Sequence, residues 1–211
     1  MLAQARSTRP MPSSNEASTP GSAPAPLSSS ASEAELLARI AQGDRAAFER
    51  LYRAYLPRLT RFLQQLTRRQ QAVEEAINDT MLVVWRKAAR YSSQSKVSTW
   101  IFAIAYRRGL KLLKRFDDPV VDDPDALGSE AGEDTPETEV LQTQLRAVLG
   151  AAMAHVSAEQ RAVIELTYYQ GCGYREIAEI MGCPVDTVKT RMFHARRRLR
   201  LLLAERRQDL P

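Results

Sequence analysis

The chain has 211 residues, 44% of them hydrophobic, with a net charge of +5, enough apolar material for one or two ordinary cores. No apolar run approaches the roughly 18–20 residues a bilayer crossing needs, and the N-terminus has no signal-peptide core, so a cytoplasmic protein is expected. Two cysteines, Cys172 and Cys183, are too few to staple a fold and lack metal-ligand spacing.

Charge divides the chain more sharply than its total suggests. Residues 31–116 hold 17 basic and 7 acidic side chains, residues 117–139 none and 10, and residues 140–211 hold 11 and 7. Two basic blocks around an acidic strip point to two polyanion-binding domains joined by a linker that avoids or imitates the polyanion. The expected organisation is a disordered Ser/Pro/Ala tail over 1–31, a helical domain over 32–116, an acidic linker over 117–139 and a second helical domain over 140–211. The fold class is all-α, because helical periodicity runs through both blocks and no strand-like alternation appears.

In chain order, helix starts are predicted at Ser32, with Glu35 three residues on, near Asp44, and near Ser98. The stretch from Val73 to Trp85 reads as an amphipathic helix. Its Val73, Ile77, Thr80 and Val84 face a core, and Glu74, Glu75, Asn78 and Asp79 point out. That acidic face on a basic domain suits a basic protein partner better than DNA, the alternative being a merely solvated face. From Arg90 a polar loop, with Tyr91, Ser92, Ser93 and Lys96, runs into a helix where aromatics alternate with Arg107, Arg108 and Lys111. This is the composition of a single-strand site, in which bases stack on rings and cations hold the backbone. Trp100, Phe102 and Ile104 can equally be core; for Phe102 the core reading outweighs the other, whereas Tyr91 is the better base contact.

Beyond the linker, Val140 to His155 reads as one helix and Ser157 to Tyr169 as another, with Gln160 completing a capping box. His155 falls at a helix end, as a polar cap or surface residue. The sequence from Tyr174 to Leu199 has the spacing of a helix-turn-helix. Ala178 lets the second helix cross closely, Gly182 takes the left-handed turn, and Val188 anchors the second helix, which Pro184 opens. Val185, Val188, Met192, Ala195 and Leu199 form its core stripe. Asp186, Thr190, Phe193, His194 and Arg197 then lie opposite, flanked by Thr187, Lys189 and Arg191, a face fit for a major groove. Arg196 to Arg198 taken alone could be an ordinary solvated face; an exposed Phe193 argues against that.

On these motifs, over about residues 32–115 and 140–204, the chain resembles the extracytoplasmic-function sigma factors, RNA polymerase subunits that keep only regions 2 and 4. The resemblance implies a bacterial initiation factor without catalytic activity or cofactor. It would bind core RNA polymerase at the β′ clamp helices and the β flap, recognise promoter DNA at −35 and −10 elements, promote melting, and answer to an anti-sigma factor. It places Lys189, Thr190, Phe193 and His194 on the −35 element, with Thr187, Arg191 and Arg197 in support. Tyr91, Ile104 and Arg107 fall around a flipped-out −10 base, with Ser92, Ser93, Lys96, Arg108 and Lys111 alongside. Glu74, Glu75, Asn78, Asp79 and Trp85 fall on the polymerase. Arg107 stands where the family pattern has asparagine, and Met81 where it has phenylalanine. A helix-turn-helix regulator acting without polymerase would explain the C-terminal half but not the N-terminal one. A nucleic-acid enzyme has no phosphate loop, nucleophile elbow or metal constellation to support it.

Overall fold

The computed structural model describes residues 30–115 and 148–207, and within them every regular element is helical. The expected N-terminal tail, the acidic linker and the start of the Val140–His155 helix lie outside the described residues. Helices α1 (Ser30–Ala41), α2 (Arg45–Leu66), α3 (Gln70–Lys87) and α4 (Val97–Arg115) make the first half, with one 3-10 turn, Ala88–Arg90, after α3. The second half contains α5, helical over 148–154, then α6 (Ala158–Tyr168), α7 (Tyr174–Met181) and α8 (Val185–Arg207). None of the described helices is long and apolar enough to cross a membrane.

Local chemistry explains several boundaries. The Asp44 carboxylate accepts the Ala47 N–H at 3.0 Å and opens α2, and Ser157 with Gln160 forms the reciprocal capping box that opens α6. Two predicted starts shift. Helix α1 already runs from Ser30, so Ser32 lies inside it, and α4 begins at Val97, whose apolar side chain is buried. The loop before α4 is therefore one residue shorter than the sequence suggests.

In the first half, α2, α3 and α4 enclose Leu51, Leu59, Phe62, Val84, Ile101 and Phe102, all 0% exposed. Phe62 meets Phe102 edge to face at 5.2 Å, a favoured arrangement of aromatic quadrupoles. At Gly109 a Cβ would lie 2.9 Å from Leu66 Cδ1, so the missing side chain sets how closely α4 crosses α2. In the second half Leu166, Ile177, Ile180, Val188 and Ala195 are buried between α6, α7 and α8. The buried side chains form one continuous cluster through both halves, because α6 packs on α2 and α7 packs on α4.

Candidate nucleic-acid interface

The helix-turn-helix forms as its spacing predicts. Glu176 Oε2 accepts the Gly173 N–H at 2.8 Å and fixes the start of α7. Gly182 closes that helix at φ 63° and ψ 40°, a left-handed corner suited to a residue without Cβ. Helix α8 follows immediately after Pro184. Val188, Met192 and Ala195 are buried, and Val185 and Leu199 half-buried, so the core stripe is as expected.

The opposite face of α8 is open. Asp186, Lys189, Thr190, Phe193, His194 and Arg197 are exposed, and Phe193 keeps 62% of its surface in solvent with its ring edge-on to His194 at 5.5 Å. Lys189 Nζ lies 2.9 Å from Asp186 Oδ1, and the Thr190 hydroxyl donates to the Asp186 carbonyl at 2.9 Å. The flanks are more enclosed. Thr187 and Arg191 are half-buried, and Arg191 sits against Cys183 Sγ, 3.7 Å away, and beside Tyr106 of α4. Arg196, on the other side, donates to the Tyr168 hydroxyl at 2.6 Å.

The loop and α4 are arranged differently. Ser92, Ser93 and Lys96 are exposed, Ser93 with a positive φ of 56°. Tyr91 is half-buried against Trp100, ring centres 5.6 Å apart, and its hydroxyl donates to the Ser95 carbonyl. Lys96 Nζ lies 2.8 Å from Glu176 Oε1 on α7. Arg107 and Lys111 are exposed, whereas Arg108 is half-buried and lies 3.5 Å from Asp79. Ile104 departs from expectation. It is 6% exposed and part of the core, so in this arrangement it does not front a base as the resemblance implies. Phe102 is core, the reading favoured for it from the sequence.

On α3, Val73, Ile77, Thr80 and Val84 are buried as predicted. Glu74 and Asn78 are exposed, while Glu75 and Asp79 are half-buried and paired with α4 cations, Glu75 with Arg115 at 3.3 Å and Asp79 with Arg108. The acidic face on a basic domain thus answers, in part, the basic helix beside it. Trp85 is half-buried and meets Phe48 edge to face at 5.1 Å.

Sequence reasoning missed a polar seam between the halves. Glu165 on α6 is 2% exposed; Arg61 on α2 reaches it at 3.2 Å and lies over the Tyr169 ring at 3.4 Å. Arg58 donates to Gln170 at 3.0 Å, and Arg161 to the Gln65 carbonyl at 2.8 Å. Burial raises the Glu165 carboxyl above its ordinary 4.5, against the pull of Arg61. At Glu176 burial also opposes ionisation, but the Lys96 hydrogen bond, the Gly173 N–H and the Lys96 charge outweigh it and the carboxyl is lowered. The signal in the sequence is an acid, Glu165, set within the apolar run Ala162 to Leu166 of α6. Leu82, 44% exposed three residues after Asp79, is another apolar side chain on a polar face.

Both cysteines are free, and burial pushes the Cys172 thiol up to about 11, which disfavours the reactive thiolate. Among the described residues no group of His, Cys, Asp or Glu is arranged to hold a metal ion.

Comparison with known proteins places these surfaces in context. The family described as Sigma-70 region 2 matches residues 51–117, and Sigma-70, region 4 matches residues 146–199. The chain is 34% identical over 160 residues to the ECF RNA polymerase sigma factor RpoE of Cereibacter sphaeroides, covering 74% of this chain and 86% of that one. It is 30% identical to the ECF RNA polymerase sigma factor SigM of Mycobacterium tuberculosis, with 82% and 85% covered. Its fold is similar to that of the sigma factor RpoE of Bartonella quintana, solved with the anti-sigma factor NepR, at a TM-score of 0.60, 24% identity and 74% and 96% coverage. It is also similar to CnrH, solved with the cytosolic domain of CnrY, at 0.59 and 21%, with 82% and 98% covered.

Proposed function

This chain belongs to the ECF RNA polymerase sigma factors, and from that premise we propose that its two halves divide promoter recognition. Residues 140–211 read the −35 element through the outer face of α8. Residues 32–116 dock on core RNA polymerase through the exposed side of α3 and engage the melted −10 element through the loop and the exposed side of α4. Residues 117–139 link the two.

The observation that carries this reading is Phe193. An apolar ring 62% exposed stands opposite the packed stripe of α8, among basic and hydroxyl side chains, and in a major groove a thymine methyl would meet it. Lys189, Thr190, His194 and Arg197 surround it with groups able to reach base edges or phosphates, Thr187 and Arg191 lying at the edges. On the −10 side, Tyr91, Ser92, Ser93, Lys96, Arg107, Arg108 and Lys111 are the groups with solvent-facing surface, and buried Ile104 supports the helix that presents them. Glu74 and Asn78 are the freest acidic-face contacts for the β′ clamp helices, with Glu75, Asp79 and Trp85 beside them. The β flap is the counterpart partner of the second half. The similar RpoE of Bartonella quintana is solved with an anti-sigma factor, which supports an anti-sigma partner here as well. The chain needs no catalytic group of its own for this role, since the chemistry is the polymerase's.

The test is run-off transcription with core polymerase on a library of genomic fragments. Defined start sites that depend on the chain are expected. A palindromic footprint by the chain alone, with no transcript from any fragment, would replace this reading with that of a polymerase-independent regulator.

A further inference from the structure

We infer that Asp186 is a specificity-determining residue that selects cytosine at one position of the −35 element, an inference that rests on the proposed reading of α8. Asp186 lies two residues before buried Val188 and four before Thr190, so at about 100° per residue it stands at the middle of the outward face with Thr190 one turn above it. Its side chain is 88% exposed. Residues in the first turns of a recognition helix are the ones that reach base edges.

The hydrogen bonds of that turn decide what it offers a groove. The Thr190 hydroxyl gives its proton to the Asp186 carbonyl, so its oxygen keeps only acceptor capacity toward DNA. Asp186 is an acceptor by nature, and Lys189 Nζ, 2.9 Å from Oδ1, steadies it while offsetting its charge against nearby phosphates. Two successive outward groups are thus acceptors. In the major groove guanine presents O6 and N7 and thymine presents O4, all acceptors that repel a carboxylate. Adenine pairs its N6 donor with an N7 acceptor; cytosine alone presents the N4 amino group without an adjoining acceptor. An acid in the first turn also favours the helix dipole, but that role would affect stability and not the choice of base.

The experiment is selection of duplexes from a library randomised over the upstream element, using holoenzyme assembled from the full chain and core polymerase. Wild type should enrich cytosine at one position. Asp186→Ala should reduce that preference by about tenfold while neighbouring positions keep theirs. Asp186→Asn, nearly isosteric, should turn it toward adenine, whose N6 and N7 match an amide. If cytosine is retained in both variants while Phe193→Ala changes other positions, the assignment of Asp186 is wrong and the reading of α8 stands. Should all three variants select the wild-type sequence, the reading of α8 falls, and this inference with it.

Discussion

Helices α4 and α8 both set aromatic side chains among cations, three in α4 and Phe193 alone in α8, yet the two use them in opposite ways. In α4, Ile101, Phe102, Ile104 and Tyr106 are buried and only Arg107, Lys111 and their neighbours face out, because α2 and α3 cover one side and α7 another. In α8 a single stripe is packed and Phe193 stands in solvent. The difference teaches that mixed aromatic and basic composition does not identify a nucleic-acid surface. The number of neighbouring helices decides which rings remain available, and that number is a property of the whole fold.

The contrast can be broken most severely at Phe102. Phe102→Ala should destabilise the protein by about 3–5 kcal/mol, read as a lowered urea midpoint, since it empties a site packed by Tyr55 and Phe62. A loss below about 1 kcal/mol would mean that α4 is not enclosed as described. Phe193→Ala is the complementary test. Promoter binding by holoenzyme should weaken by about 1–3 kcal/mol, while the midpoint for the free chain moves by no more than about 0.5 kcal/mol. Equal losses in both measurements would make Phe193 a packing residue.

The smallest effects concern the seam, where two carboxylates should respond to pH in opposite senses. Glu165 has a raised folded-state value, so its contribution to stability is full below about 4.5 and is lost as pH rises through that raised value. Glu176 has a lowered one, so its contribution is present above about 4.5 and is lost as pH falls through the lowered value. Urea midpoints between about pH 3 and about pH 7 should show Glu165→Gln removing the part that favours acid and Glu176→Gln removing the part that acid abolishes. Identical profiles for the two variants would mean that the two sites share one environment.

Much of this was legible in the sequence, for reasons that stay within a few residues. Asp44 and Ser157 cap helices through bonds three residues long, Gly182 turns because its own backbone must, and Val188, Met192 and Ala195 fall on one stripe. What was not legible depends on distant partners. Nothing near Lys96 announces Glu176, nothing near Arg108 announces Asp79 across two helices, and Ile104 looks available until α4 is covered. The resemblance implies a base-facing position for Ile104; its burial follows from packing between elements.

The seam also bears on how the molecule assembles in time. Arg61 reaches Glu165 across 104 positions, Arg58 reaches Gln170 across 112, and Arg161 reaches Gln65 across 96. Each helix can form within about a microsecond from contacts a few residues apart. Joining positions about a hundred apart instead requires closing a long loop first, a cost that grows only slowly with length, about 0.6 kcal/mol per doubling. The pairing of the halves is therefore expected to follow the formation of the helices.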